Sequence, residues 1–180
     1  MATTVIPPDF TQLVGQADYV VRASVRTVTA EFRTTPNGRA IFTRVELIVL
    51  ESIVGTPPQP LVLELLGGTV GEVTMRVEGV PLFHAGDEDI LFVQANGRQF
   101  FPLVGIMHGK YPVVRDAKTG AAIVTRSNGA PLRDVSEVKG DLDHAGAVAA
   151  TAPALTPEAF AGKIRASYQA QFPSRPQLAN

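Results

Sequence analysis

Apolar and polar residues alternate along the first half of this chain with a period of two, and that pattern predicts its strands. In residues 19–32, Tyr19, Val21, Ala23 and Val25 share one face, after which the apolar set shifts parity to Val28, Ala30 and Phe32. A phase change inside one strand predicts a bulge or a sharp bend. Residues 34–39 hold a Pro-Asn-Gly turn, with Gly38 free to take a positive φ, so a hairpin follows. The returning strand covers residues 40–54, with Ile41, Val45, Leu47, Val49 and Ile53 inward and Arg44, Glu46 and Ser52 outward. Leu61, Leu63 and Leu65 share a face in a third strand that ends at Gly67 and Gly68, a tight bend where the backbone needs room.

Residues 72–79 alternate as a half-exposed antiparallel strand, and residues 89–95 (DILFVQA) predict a strand covered on both faces. Asn96-Gly97 is a hairpin signal, and Pro102 makes residues 99–106 an edge or interrupted strand. Residues 110–116 and 122–127 form a further hairpin around Gly120, followed by a turn at Asn128-Gly129. Two helices frame these strands. Asp9 caps a short one over residues 10–17, and Thr156 caps a second in which Pro157 takes the first position and Phe160, Ile164, Tyr168 and Phe172 recur every fourth residue. The expected fold is mainly β: an antiparallel OB-like β-barrel with a short N-terminal helix and a C-terminal amphipathic helix. The domain reading is a barrel with its N-terminal helix over residues 1–134, a loose connector over 135–155, the packed helix over 156–172 and a frayed tail over 173–180.

Composition narrows the chemistry. With 180 residues, one well-packed domain is expected. The absence of cysteine excludes a disulfide framework, a CxxC zinc site and a thiol nucleophile. A net charge of -1 gives no sequence-wide attraction to nucleic acid or an anionic membrane, and no apolar run has the length of a membrane span.

The runs at residues 3–25, 49–58, 63–71, 81–93 and 104–113 (TTVIPPDFTQLVGQADYVVRASV, VLESIVGTPP, LELLGGTVG, PLFHAGDEDILFV and VGIMHGKYPV) follow an order that resembles small exported bacterial proteins of unknown function. Some of those occur alongside matrixin-type metalloproteases. Residues 21–28, 45–55 and 86–93 are more distantly similar to the netrin-like module of metalloprotease inhibitors, an OB-type barrel. Those modules are stapled by disulfides and inhibit through a cysteine-dependent end, and this chain has no cysteine. The resemblance implies an exported protein, periplasmic or extracellular. Met1 directly before Ala2-Thr3-Thr4 fits a mature chain whose signal peptide has been removed, and a cytoplasmic protein starting at its own Met1 is the alternative.

Candidate chemistry is sparse. His84 precedes Asp87, Glu88 and Asp89, and His144 follows Asp141 and Asp143, yet neither matches a spacing that presets ligand geometry. His84, Asp87 and Asp89 are weak metal candidates beside the plainer reading of a solvated loop. Residues 105–110 fall short of a phosphate-binding loop, and His108 with Lys110 forms a polar pair on what reads as a surface hairpin tip. No serine sits in a GxSxG elbow. Arg22 and Arg26 lead a set of arginines interleaved with aromatics, a single-strand-binding pattern that the acidic balance disfavours. The leading function is therefore a non-catalytic exported module without a cofactor, binding a protein or another cell-surface component through strand edges, Arg22, Arg26, Gly67, Gly68, His108 and Lys110. Alternatives are a metal-dependent hydrolase using His84, His108 or His144 and, more weakly, an oligosaccharide or single-stranded nucleic-acid binder.

Overall fold

The phase change in the first strand organises the architecture. Strand β1 (Tyr19–Thr35) pairs antiparallel with β2 (Gly38–Val54), and the register slips between Val20 and Val21, Arg22 and Ala23, and Val25 and Thr27. The last slip lies where the apolar parity changes, so the bulge keeps alternate apolar residues on one face while the strand bends. Pro36 and Asn37 form the two-residue turn, Gly38 takes φ 111°, and the Thr35 hydroxyl donates to the Gly38 carbonyl at 2.7 Å. A computed structural model describes residues 6–139 and 152–174 of the chain. His144, Asp141 and Asp143, most of the expected connector and most of the tail lie outside the described residues.

Strands β3 (Leu61–Leu66), β6 (Glu88–Val93), β7 (Lys110–Arg115) and β8 (Ala122–Val124) complete an antiparallel sheet in the order β3-β2-β1-β6-β7-β8. A separate hairpin joins β4 (Gly68–Val70) to β5 (Val73–Met75). The fold is mainly β, as expected, but the sheet is open and forms no closed barrel. Closure needs a ladder between the outermost strands, and among the described residues none joins β3 to β8. Both outer edges are instead covered by irregular chain. The Asn96 amide donates to the Val62 carbonyl at 2.9 Å, and the Leu66 N–H reaches the Phe100 carbonyl at 3.3 Å. On β8, the Val124 N–H donates to the Leu155 carbonyl and its carbonyl accepts from the Leu132 N–H, at 2.8 and 2.9 Å.

Each face of the sheet carries its own core. Helix α1 (Phe10–Gln16) starts in a capping box, where the Asp9 carboxylate accepts from the Gln12 N–H and the Gln12 side chain accepts from the Asp9 N–H. Helix α2 (Pro157–Gln171) starts at Thr156, whose hydroxyl accepts from the Ala159 N–H at 3.2 Å. The two helices cover one face, burying Leu13, Val14, Phe160, Ala161 and Ile164 against Val20, Ile90 and Phe92. The other face gathers Val21, Ala23, Val25, Val45, Leu61, Leu63, Leu65, Leu91 and Val93. Strands β3 and β6 stand three places apart, about 14 Å in a flat sheet, so their meeting in one core requires the sheet to curl.

Three further expectations change. Of residues 72–79, Val73–Met75 alone form a strand, because β4 offers three residues to pair with. Residues 99–106 contribute a single bridge, Val93 to Leu103. The start of the expected loose connector is a 3-10 helix, Val135–Lys139, with Val138 buried in the helix-side core. Among the described residues, no helix is long and apolar enough to cross a membrane.

Candidate functional site

The glycine pair expected to mark a tight bend does so, and the bend builds a groove. Gly67 and Gly68 take φ 103° and 136°. A side chain at Gly68 would place its Cβ 2.3 Å from the Thr43 hydroxyl and 3.2 Å from the Ala30 Cβ. Glycine is thus what lets β4 lie directly on β1 and β2. The corner is fixed by the Gly67 N–H donating to the Ile41 carbonyl at 2.8 Å and the Thr43 hydroxyl donating to the Gly67 carbonyl at 2.7 Å.

Between this folded-over hairpin and residues 76–83 lies a groove of about 800 Å³. Its lining is mostly apolar, including Val28, Ala30 and Leu65 from the sheet, Met75 from β5, and Val80, Leu82 and Phe83 from the outer segment. Thr43, Thr69, Thr74, Arg76 and Glu78 supply its polar groups. Leu82 is 76 % exposed whereas Phe83 is buried, so the outer wall has one foot in the core and one in solvent.

That buried foot rests on an ion pair. Lys110 and Asp89 are both buried, contrary to the expected exposed tip at 105–110 and solvated loop at 87–89. The Lys110 ammonium donates to the Leu82 carbonyl at 2.8 Å, lies 4.7 Å from the centre of the Phe83 ring and stands 3.4 Å from Asp89 Oδ1. The last contact is an ion pair but too poorly aligned for a hydrogen bond, and neither Asp89 oxygen has a hydrogen-bond partner. Burial pushes the Asp89 carboxyl up to about 6, aided by Asp87 and Glu88 and opposed by Lys110. His108 is buried in the 3-10 helix Ile106–Gly109. The glycine that follows it is a packing requirement, since a Cβ on Gly109 would sit 2.8 Å from the Val104 carbonyl oxygen.

The remaining candidates are held apart from the groove. Arg22 pairs with Glu88 at 2.6 Å and with Glu158, at the start of α2, at 2.8 Å. Burial disfavours its charge, but the two carboxylates outweigh that and hold the guanidinium above its ordinary pKa. Arg22 therefore ties β1, β6 and α2 together. Arg26, the extra residue of the bulge between Val25 and Thr27, is exposed. His84 is exposed, and Asp87 accepts from its backbone N–H at 3.1 Å and contacts its Nδ1 at 3.2 Å. Asp89 faces Lys110, and among the described residues no three His, Asp or Glu side chains are grouped to hold a metal ion.

Gly67 and Gly68 were the legible part of this site. The buried pair carried a weaker signal: Asp89 shares the parity of Leu91 and Val93, which predicts an inward carboxylate in need of a cation. Nothing in the sequence marked Thr74, Val80 or Leu82 as groove residues. No protein-family model and no curated protein matches this chain, so the groove is interpreted on its own geometry.

Proposed function

We propose that the chain is a non-catalytic binding module that takes an apolar group of a protein or cell-surface partner into the groove beneath the β4–β5 hairpin. The observation that carries this reading is the groove itself, about 800 Å³ with a mostly apolar lining and a few polar groups. Volume and lining of that kind suit ligand binding. The wall is also anchored, because Lys110 holds the Leu82 carbonyl and underlies Phe83, which preserves the cavity when no ligand fills it. The setting proposed for the module is outside the cytoplasm, supported by the sequence resemblance alone and tested by fractionating cells that express the full genomic reading frame.

The direct test uses 1-N-phenylnaphthylamine, an uncharged fluorophore. Saturable fluorescence enhancement is expected with the native chain and at least tenfold weaker binding with Thr74→Trp, which fills the groove from an exposed hairpin position. Equal binding by the two chains, at equal melting temperature, would overturn the proposal.

A further inference from the structure

The ladder on the outer side of β1 stops long before the strand does. Pairing with β6 ends at Ser24 opposite Glu88, followed by one exchange in which the Val25 N–H donates to the Asp87 carbonyl and the Gly86 N–H to the Val25 carbonyl. β1 continues to Thr35, paired through this half with β2 alone. Among the described residues, no strand pairs with that outer edge.

The hairpin register shows what the edge presents. Thr35 and Gly38 close a two-residue turn and exchange both backbone bonds, so Arg33, Glu31, Thr29 and Thr27 do likewise with their partners on β2. The N–H and C=O groups of Val28, Ala30 and Phe32 then point away from β2. They form a row of donors and acceptors at the spacing of an extended backbone. The two ends of the main sheet are covered, one by Asn96 and Phe100 and the other by Leu132 and Leu155. Natural sheets cover or blunt such edges because an open one templates pairing. Among the described residues the outer edge of β2 past Leu47 also has no strand partner, but the edge of β1 is the one that borders the groove, through Val28 and Ala30.

We infer that the outer edge of β1 from Val28 to Phe32 accepts an extended segment of a partner polypeptide as an added strand. This rests on the binding-module reading and specifies its partner. Val28 and Ala30 also line the groove, and side chains of directly paired residues on neighbouring strands lie about 5 Å apart. Every second side chain of the added strand therefore falls beside the groove floor, so the partner carries apolar residues at alternate positions. Its ends carry carboxylates: Arg26 stands exposed at one end of the edge, and at the other Arg39, opposite Thr34, stacks 3.9 Å from the centre of the Phe32 ring. Glu31 and Arg33, on the opposite face, already satisfy each other and Glu64. Recognition by strand addition combines backbone bonds for affinity with side-chain pockets for selectivity.

The experiment selects a displayed library of random twelve-residue peptides on the native chain, counter-selected on Ala30→Pro. The Ala30 N–H faces outward, so proline there removes an edge donor without breaking a β1–β2 bond. Enriched peptides are expected to alternate apolar residues and to bind Ala30→Pro at least tenfold more weakly. Each is then synthesised with N-methyl groups on alternate residues in either of two phases. One phase should abolish binding and the other preserve it, a readout that leaves the protein unaltered and stands even if Ala30→Pro fails to fold. No enrichment, or equal loss in the two phases, would overturn strand addition. Peptides blocked by Thr74→Trp but indifferent to methylation phase would overturn it while leaving the groove reading intact. A dimer of the chain alone, dissociated by dilution and by Ala30→Pro, would overturn it by giving the edge to a second copy.

Discussion

The two faces of the sheet are closed by different means. On the helix side, Phe160 is fully buried among three rings, with centroids 5.1 Å from Tyr111, 6.0 Å from Phe10 and 6.1 Å from Phe92. Helices α1 and α2 satisfy their own backbone groups, so they can lay continuous apolar stripes on the sheet. The opposite face is covered by the β4–β5 hairpin and by loops, whose backbone groups still need partners. There the cover leaves a groove, and one of its anchors is a buried ion pair. The helix-covered face is closed by interlocking aromatic rings, and the face roofed by loops keeps a groove open to a ligand.

The largest expected effect breaks the sealed face. Phe160→Ala should cost about 4–5 kcal/mol, the upper part of the range for deleting a buried aromatic ring, measured by urea denaturation. A loss under about 2 kcal/mol would show that α2 is a peripheral strap. On the roofed face, Lys110→Met should cost about 3–4 kcal/mol by leaving the Asp89 carboxylate buried alone, whereas the double variant Asp89→Leu, Lys110→Met should return to within about 1 kcal/mol of the native chain. Equal losses in the single and double variants would contradict a coupled pair.

Acid should separate the faces next. The folded-state pKa of Asp89, about 6, lies above its ordinary value of 3.8, so between those pH values the folded chain holds a proton that the unfolded chain has released. Its contribution to stability therefore decreases as pH rises through that window, by about 3 kcal/mol at most. Partly exposed carboxylates such as Asp116 and Asp134, whose pKa values are lowered by hydrogen bonds from Thr119 and Ser136, act in the opposite direction. The useful measurement is consequently the difference between native and Asp89→Asn stability from pH 4 to 7, and a flat difference would contradict the assignment. The smallest effect is at the groove rim: Leu82→Ser, at a side chain mostly in solvent, should change stability by no more than about 0.5 kcal/mol while weakening fluorophore binding severalfold. A large loss of stability there would mean that Leu82 supports the core and not a binding surface.

Much of the local structure was legible because it obeys local rules. The parity change at Val25 to Thr27 announced the bulge, the apolar run at residues 90–93 announced a strand covered on both faces, and Thr156-Pro157 announced the start of α2. Residues 72–79 misled because alternation records a strand's faces and not the length of its partner. Lys110 misled because a charged residue after a glycine turn is ordinarily solvated, and its burial depends on Asp89, 21 positions earlier in the chain. The metal and nucleic-acid candidates were compositional neighbourhoods, and folding turned Asp89 toward Lys110 and committed Arg22 to two carboxylates.

Residue order therefore specified the bulged long hairpin, the caps of both helices and the bend at Gly67 and Gly68, since each depends on neighbours within a few residues. The failure of the sheet to close into a barrel, the meeting of Asp89 with Lys110, the groove and the open edge of β1 depended on which distant segments came to lie against the sheet. A period of two says which way a side chain points. It says nothing about what stands opposite, and that is decided by long-range packing.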